Sequence, residues 1–224
     1  MIAIALAALI SGHDLYMTRC ASCHGERAQG SSLAPGLIGK SASDIHLMLD
    51  TGRMPAAVPY VDEISEKPSF SRAQIEVLTG YVLTLTRAQD RTLPLVSGGD
   101  PIHGRALFAE NCSACHGPAA DGASVGANDV APSLRGASAF QIGEAIRAGP
   151  DVMPRFGTRE LSDRDVDDIA RYVTLLDSDA PPARNVNAGG LALAHVGPVA
   201  EGFVAWFFGI GALLLFIRSI GTTR

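Results

Sequence analysis

The sequence predicts an all-α chain of two small tandem domains followed by one membrane-spanning helix. Three observations carry that expectation. A pentapeptide occurs twice, as Cys20-Ala21-Ser22-Cys23-His24 and Cys112-Ser113-Ala114-Cys115-His116, each copy followed by a glycine, Gly25 and Gly117. The stretches flanking the copies align at one constant offset with apolar residues at helical spacing, so the 224 residues divide into two units of about 80 to 90 residues. Near the C-terminus, residues 202–217 carry no charge, and extension to Val199 gives about the 20 residues a membrane helix requires.

C-x-x-C-H is the attachment signature of c-type haem. Cysteines three apart with a histidine one further on lie on one side of a helical turn. Two thiols can then form thioethers with the two vinyl groups of a haem while the imidazole faces the iron. The repeat predicts two covalently bound haem c groups, held by Cys20, Cys23, Cys112 and Cys115, with His24 and His116 as axial ligands. A shared zinc knuckle or a redox dithiol would also use four cysteines, but leaves the two histidines without a purpose. All four cysteines lie in the motifs, so none remains for a structural disulfide. Each small domain would gain a rigid apolar cofactor as part of its core.

Residues 1–11 read as the remnant of a signal or membrane anchor, because the apolar run is too short to span a bilayer and has no charged residues before it. A buried N-terminal helical turn is the alternative. The first haem domain is expected over residues 12–87. Gly12, Leu15 and Tyr16 lead into its motif as Gly104, Leu107 and Phe108 lead into the second. The pattern suits an amphipathic helix whose leucine and aromatic face the core and whose glycine lets another helix approach. After each motif a Gly-rich loop reaches Pro35-Gly36-Leu37 or Pro132-Ser133-Leu134. The proline carbonyl is the expected acceptor for the other ring N–H of the histidine, which would fix the ring and raise its basicity.

Short helices over residues 43–51 and 139–148 end at Met54-Pro55 and Met153-Pro154. A thioether is a soft iron ligand that raises haem potential. Of five methionines only these two occupy matched positions, so Met54 and Met153 are expected opposite His24 and His116. Serines 71 and 162 are expected to cap the closing helices, which carry Tyr81 and Tyr172 as core aromatics. Residues 88–101 read as a linker, 102–177 as the second haem domain and 178–196 as another linker. The membrane helix follows over 197–220, with Glu201 at the headgroup boundary. Arg218 and Arg224 place its C-terminus in the cytoplasm and both haem domains on the extracytoplasmic side of the cell membrane. His13, His46, His103 and His195 have no matched partners and read as surface or capping residues.

The net charge of −5, with no run of Lys or Arg, argues against a nucleic-acid partner. A mildly acidic surface suits docking to a basic or copper-centred electron partner. With two C-x-x-C-H domains, each followed by Met-Pro, and a C-terminal stretch Gly197-Pro198-Val199-Ala200-Glu201-Gly202-Phe203-Val204-Ala205-Trp206, the chain resembles the dihaem cytochrome c subunit of the actinobacterial cytochrome bcc complex. The haem motifs alone match any class I cytochrome c, and the C-terminal stretch is the more specific part. The resemblance implies two class I cytochrome c domains in a menaquinol-oxidising respiratory complex. Cytochrome b, the Rieske iron–sulfur protein and a haem-copper cytochrome c oxidase would be the partners. Electrons would pass from the Rieske protein through both haems to the oxidase, and the chain itself would have no catalytic residue. A dihaem acceptor subunit of a membrane dehydrogenase remains a second reading. A dihaem peroxidase is a third, which requires an open iron position that matched methionines would close.

Overall fold

The computed structural model describes residues 11–56, 67–88, 90–126, 129–176 and 198–221. The expected anchor remnant before Ser11, the second linker with His195, and Arg224 lie outside the described residues. Helix starts follow the capping residues. Ser11 accepts from the Asp14 N–H at the head of α1 (Gly12–Arg19), and Asp100 accepts from Ile102 N–H ahead of α5 (Pro101–Asn111). Reciprocal pairs, in which a serine and the side chain three residues on each bond the other's backbone N–H, open four helices. They are Ser41 with Asp44 at α3 (Ala42–Asp50), Ser71 with Gln74 at α4 (Arg72–Thr86), Ser138 with Gln141 at α7 (Ala139–Ala148) and Ser162 with Asp165 at α8 (Asp163–Leu176). The two cysteine motifs form the short helices α2 (Ala21–His24) and α6 (Ser113–His116).

Two similar domains result. In the first, α1 packs across α4 and α3 lies against α4; in the second, α5 packs across α8 and α7 lies against α8. A Cβ on Gly12 would collide with the Val77 carbonyl oxygen, and one on Gly104 with that of Asp168, so the paired glycines set how closely the helices cross. Tyr16 and Phe108, buried at the same place in the two cores, each contribute about 1.5 to 3 kcal/mol by leaving water.

Three features lie outside the repeat. The second motif is followed by a hairpin, β1 (Ala123–Gly126) antiparallel to β2 (Asp129–Ala131), where the sequence suggested only a loop. The segment expected to be a plain linker is a tethered strap. Asp90 accepts from the Ala42 N–H, Arg91 donates to the Leu83 carbonyl, Ser97 bonds Asp167, and buried Asp168 accepts from the Asp100 N–H at 2.6 Å. Finally, α3 of the first domain packs on α7 of the second. Across this seam Arg155 donates to both carboxylate oxygens of Asp44, at 3.0 and 2.8 Å, and Gln141 donates to Asp50 at 2.8 Å.

A separate unit holds α9 (Pro198–Gly221). From Gly202 to Gly221 it is long and apolar enough to cross a membrane, and Phe203, Trp206 and Phe208 are all exposed along it.

Gly104→Ala is expected to destabilise the second domain by more than about 2 kcal/mol, since backbone must move apart. Gly80→Ala, in the exposed interior of α4 with open space at its Cβ position, should stabilise by about 0.5 to 1 kcal/mol; denaturant unfolding reads both. For Asp44, burial raises the carboxyl pKa, but bonds from Ser41 and the Arg155 guanidinium outweigh it and hold it below its ordinary 3.8. Its stabilisation is therefore full above that value and is lost as pH falls through the lowered one. Asp44→Asn should cost about 1 kcal/mol at neutral pH, and the difference from wild type should vanish in melts recorded below the lowered value.

Candidate haem centres

The two cysteine turns are built alike, bond for bond. Each first cysteine ends one helix and starts the next: Cys20 N–H donates to Tyr16 O and Cys112 N–H to Phe108 O, both at 2.9 Å, with φ of −123° and −120°. The histidine N–H returns to that cysteine's carbonyl at 2.9 Å in both copies. Glycines 25 and 117 then stop the turn at φ +80° and +76°, a backbone region that side chains disfavour. The spacing of three and four residues suits the two thiols and the imidazole of each copy to one side of the turn.

The loops that follow are pinned to the turn. Gly30 N–H donates to His24 O and Gly122 N–H to His116 O; Leu37 N–H reaches Ala28 O and Leu134 N–H reaches Ala120 O. His24 and His116 are 9% and 8% exposed. Their Nδ1–H groups donate to the carbonyls of Pro35 and Pro132 at 2.8 and 3.0 Å. With Nδ1 carrying the proton, Nε2 is the free donor of each ring, which is the atom an iron ligand needs. The first loop runs 11 residues from histidine to proline and the second 16, the difference being taken up by the hairpin.

Burial lifts the thiols of Cys20 and Cys112 to about 11, whereas Cys115 lies exposed at the rim. No disulfide joins the four cysteines. Met54 is half-buried against the first core, on which Cys20 and Leu37 also pack, and Met153 is half-buried against the second core, which contains Cys112. Thiols free of disulfides, a fixed imidazole and an apolar wall with a thioether in it suit a haem c in each domain.

The centres also differ. Tyr16 donates its hydroxyl to the Gly25 carbonyl at 2.6 Å, a bond Phe108 cannot make, and burial first, then Cys20, pushes the phenol up to about 12. The segment after Met153 is tied down by Arg155, whose Nε donates to the Ala148 carbonyl and whose Nη2 reaches Asp44 of the other domain. The loop after Met54 runs into residues outside those described. Three of the lone histidines are described. His13 is exposed beside Asp14, and half-exposed His103 donates to buried Asp168 at 2.8 Å. His46 overturns the surface assignment: it is buried on the seam, 2.8 Å from Glu144. The sequence held no signal for that pairing, because the partner lies on a different domain.

The family model described as cytochrome c oxidase, cbb3-type, subunit III matches residues 7–81 and again 99–173. The cytochrome bc1 complex cytochrome c subunit of Mycobacterium tuberculosis is 34% identical, over 96% of this chain and 78% of that protein. The protein of the same name in Corynebacterium efficiens is 30% identical, over 96% of this chain and 77% of that one. The cbb3-type cytochrome c oxidase subunit CcoP of Azospirillum is also 30% identical, over 74% of this chain and 61% of that protein.

Tyr16→Phe leaves the Gly25 carbonyl without its 2.6 Å donor while keeping the ring. It should lower the stability of the first domain by about 1 kcal/mol and leave the second domain unchanged, as read by denaturant unfolding of the holoprotein.

Proposed function

Since the chain belongs to the family of cytochrome c subunits of the cytochrome bc1 complex, we propose that it is a two-haem relay that takes electrons from a Rieske iron–sulfur protein and delivers them to a haem-copper oxidase. The observation that carries the reading is the duplicated centre, each copy with its histidine fixed by a proline carbonyl, on a chain with a helix able to span a membrane.

When bound, the haems supply one-electron carriers at the two centres. The chain's residues set the conditions. Cys20, Cys23, Cys112 and Cys115 hold the groups covalently; His24 and His116 present Nε2 with the basicity that the carbonyl bond confers. Met54 and Met153 would supply the iron with a soft second ligand that raises potential, a donor set that would leave no position open for peroxide and so favours an electron carrier over a peroxidase. Arg218, at the end of α9, favours a cytoplasmic C-terminus, with both domains on the outer side.

Met54→His and Met153→His should each lower the midpoint potential of one haem by on the order of 0.1 V, within the range axial ligands command; spectroelectrochemistry of the full chain measures this. Gentle solubilisation of membranes followed by pull-down of the chain should bring down cytochrome b, the Rieske protein and oxidase subunits together. Recovery of a dehydrogenase without cytochrome b would overturn the assignment.

A further inference from the structure

Away from the haem centres, the seam between α3 and α7 buries a cluster of side chains whose bonding capacity is not used. His46 and Asp50 stand four residues apart on α3 and so share one face of it; Glu144 comes from α7. Glu144 is fully buried, and neither of its carboxylate oxygens has a hydrogen-bond partner. The same holds for Nδ1 of His46. That nitrogen lies 2.8 Å from Oε1 of Glu144, within ion-pair range yet out of line for a hydrogen bond. One donor atom each from His46, Asp50 and Glu144 falls within 4.8 Å of the other two.

A buried carboxylate with idle oxygens is unfavourable unless something positive meets it. A proton shared with the imidazole would engage only Oε1, along a poor line, and leave Oε2 without a partner. A divalent ion engages all three groups. With bonds of about 2.0 to 2.2 Å at tetrahedral angles, two donors stand about 3.3 to 3.6 Å apart, so the 2.8 Å between Nδ1 and Oε1 would open by about half an ångström or a little more as the ion enters.

We propose that His46, Asp50 and Glu144 form a binding site for one zinc-type divalent ion at the seam of the two haem domains. One imidazole with two carboxylates is a borderline donor set, which selects zinc over the oxygen-only preferences of magnesium and calcium. Groups behind the donors are already fixed. Gln141 donates to Oδ2 of Asp50 at 2.8 Å while its own oxygen accepts from the Ser138 N–H at 3.0 Å, and the Phe140 ring meets the His46 ring edge-on at 5.3 Å. Because α3 supplies two ligands and α7 the third, the ion would cross-link the domains and hold the two centres at one separation.

The test is metal analysis of the full haem-loaded chain, in its complex or in detergent. Elemental analysis should find one zinc per chain, or, after treatment with a chelator, equilibrium dialysis against zinc should show one saturable site. The zinc X-ray absorption edge should report nitrogen and oxygen donors without sulfur. Glu144→Gln and Asp50→Asn should each weaken zinc binding at least about tenfold, while Asp14→Asn, exposed on α1 and away from the seam, should leave it unchanged. Should Glu144→Gln fail to fold, Asp50→Asn alone decides. Absence of a saturable site, sulfur ligation, or equal binding by wild type and the folded variants would overturn the proposal and reduce the cluster to a buried His46–Glu144 ion pair.

Discussion

Each haem domain depends on one hydrogen bond, from the motif histidine to a proline carbonyl. His24 and Pro35 meet at 2.8 Å, His116 and Pro132 at 3.0 Å. The bond joins the side chain of a short helical turn to the backbone of the loop after it, which the Gly30 and Gly122 N–H groups already tie to the turn, and it fixes the ring against that loop. Once the loop is held, Leu37 and Leu134 are placed against their cores. The chain is then aimed at Ser41 and Ser138, which start α3 and α7. Proline suits the role because its own nitrogen has no proton, so the loop offers an acceptor there without a competing donor.

Much of this is legible in the sequence because it is repeated. A single proline eleven residues after a histidine means little, whereas two prolines beside leucines after two identical turns constrain each other. The paired glycines 12 and 104 and the serine caps at 71 and 162 are legible for the same reason, since each rests on local geometry or on backbone chemistry. The hairpin escapes that reading. Its strands are four and three residues long and rich in small residues, so neither period nor propensity marks them.

The seam escapes it for a different reason. Helix α3 serves two neighbours: Ile45 and Leu49 join the first domain's core, while His46 turns to Glu144 of the second domain. Hydrophobic periodicity identifies only the first face, and a polar residue off that face reads as solvent-exposed. The strap before α5 is hidden likewise, because its bonds run through backbone groups and through Asp167 and Asp168 on α8, with no pattern of their own. What the repeat cannot reveal is whatever the two copies do to one another.

That mutual contact decides how the two domains work as a pair. Two carriers joined by a flexible linker would sample a range of separations, and the effective concentration of one at the other would follow linker statistics. Here the connection from Asp90 to Asp100 is bonded to both domains, and α3 is clamped to α7 through Asp44, Arg155, Asp50 and Gln141. The separation of the centres is thus a property of side-chain packing rather than of chain length. Arg155 makes the link sharper, because it follows Met153 by two residues and bonds Asp44 of the first domain. A shift of the domains along the seam therefore pulls on the segment that carries the second thioether. The proposed transfer between the centres, and the ligation proposed for Met153, would then be governed by the same set of interdomain bonds.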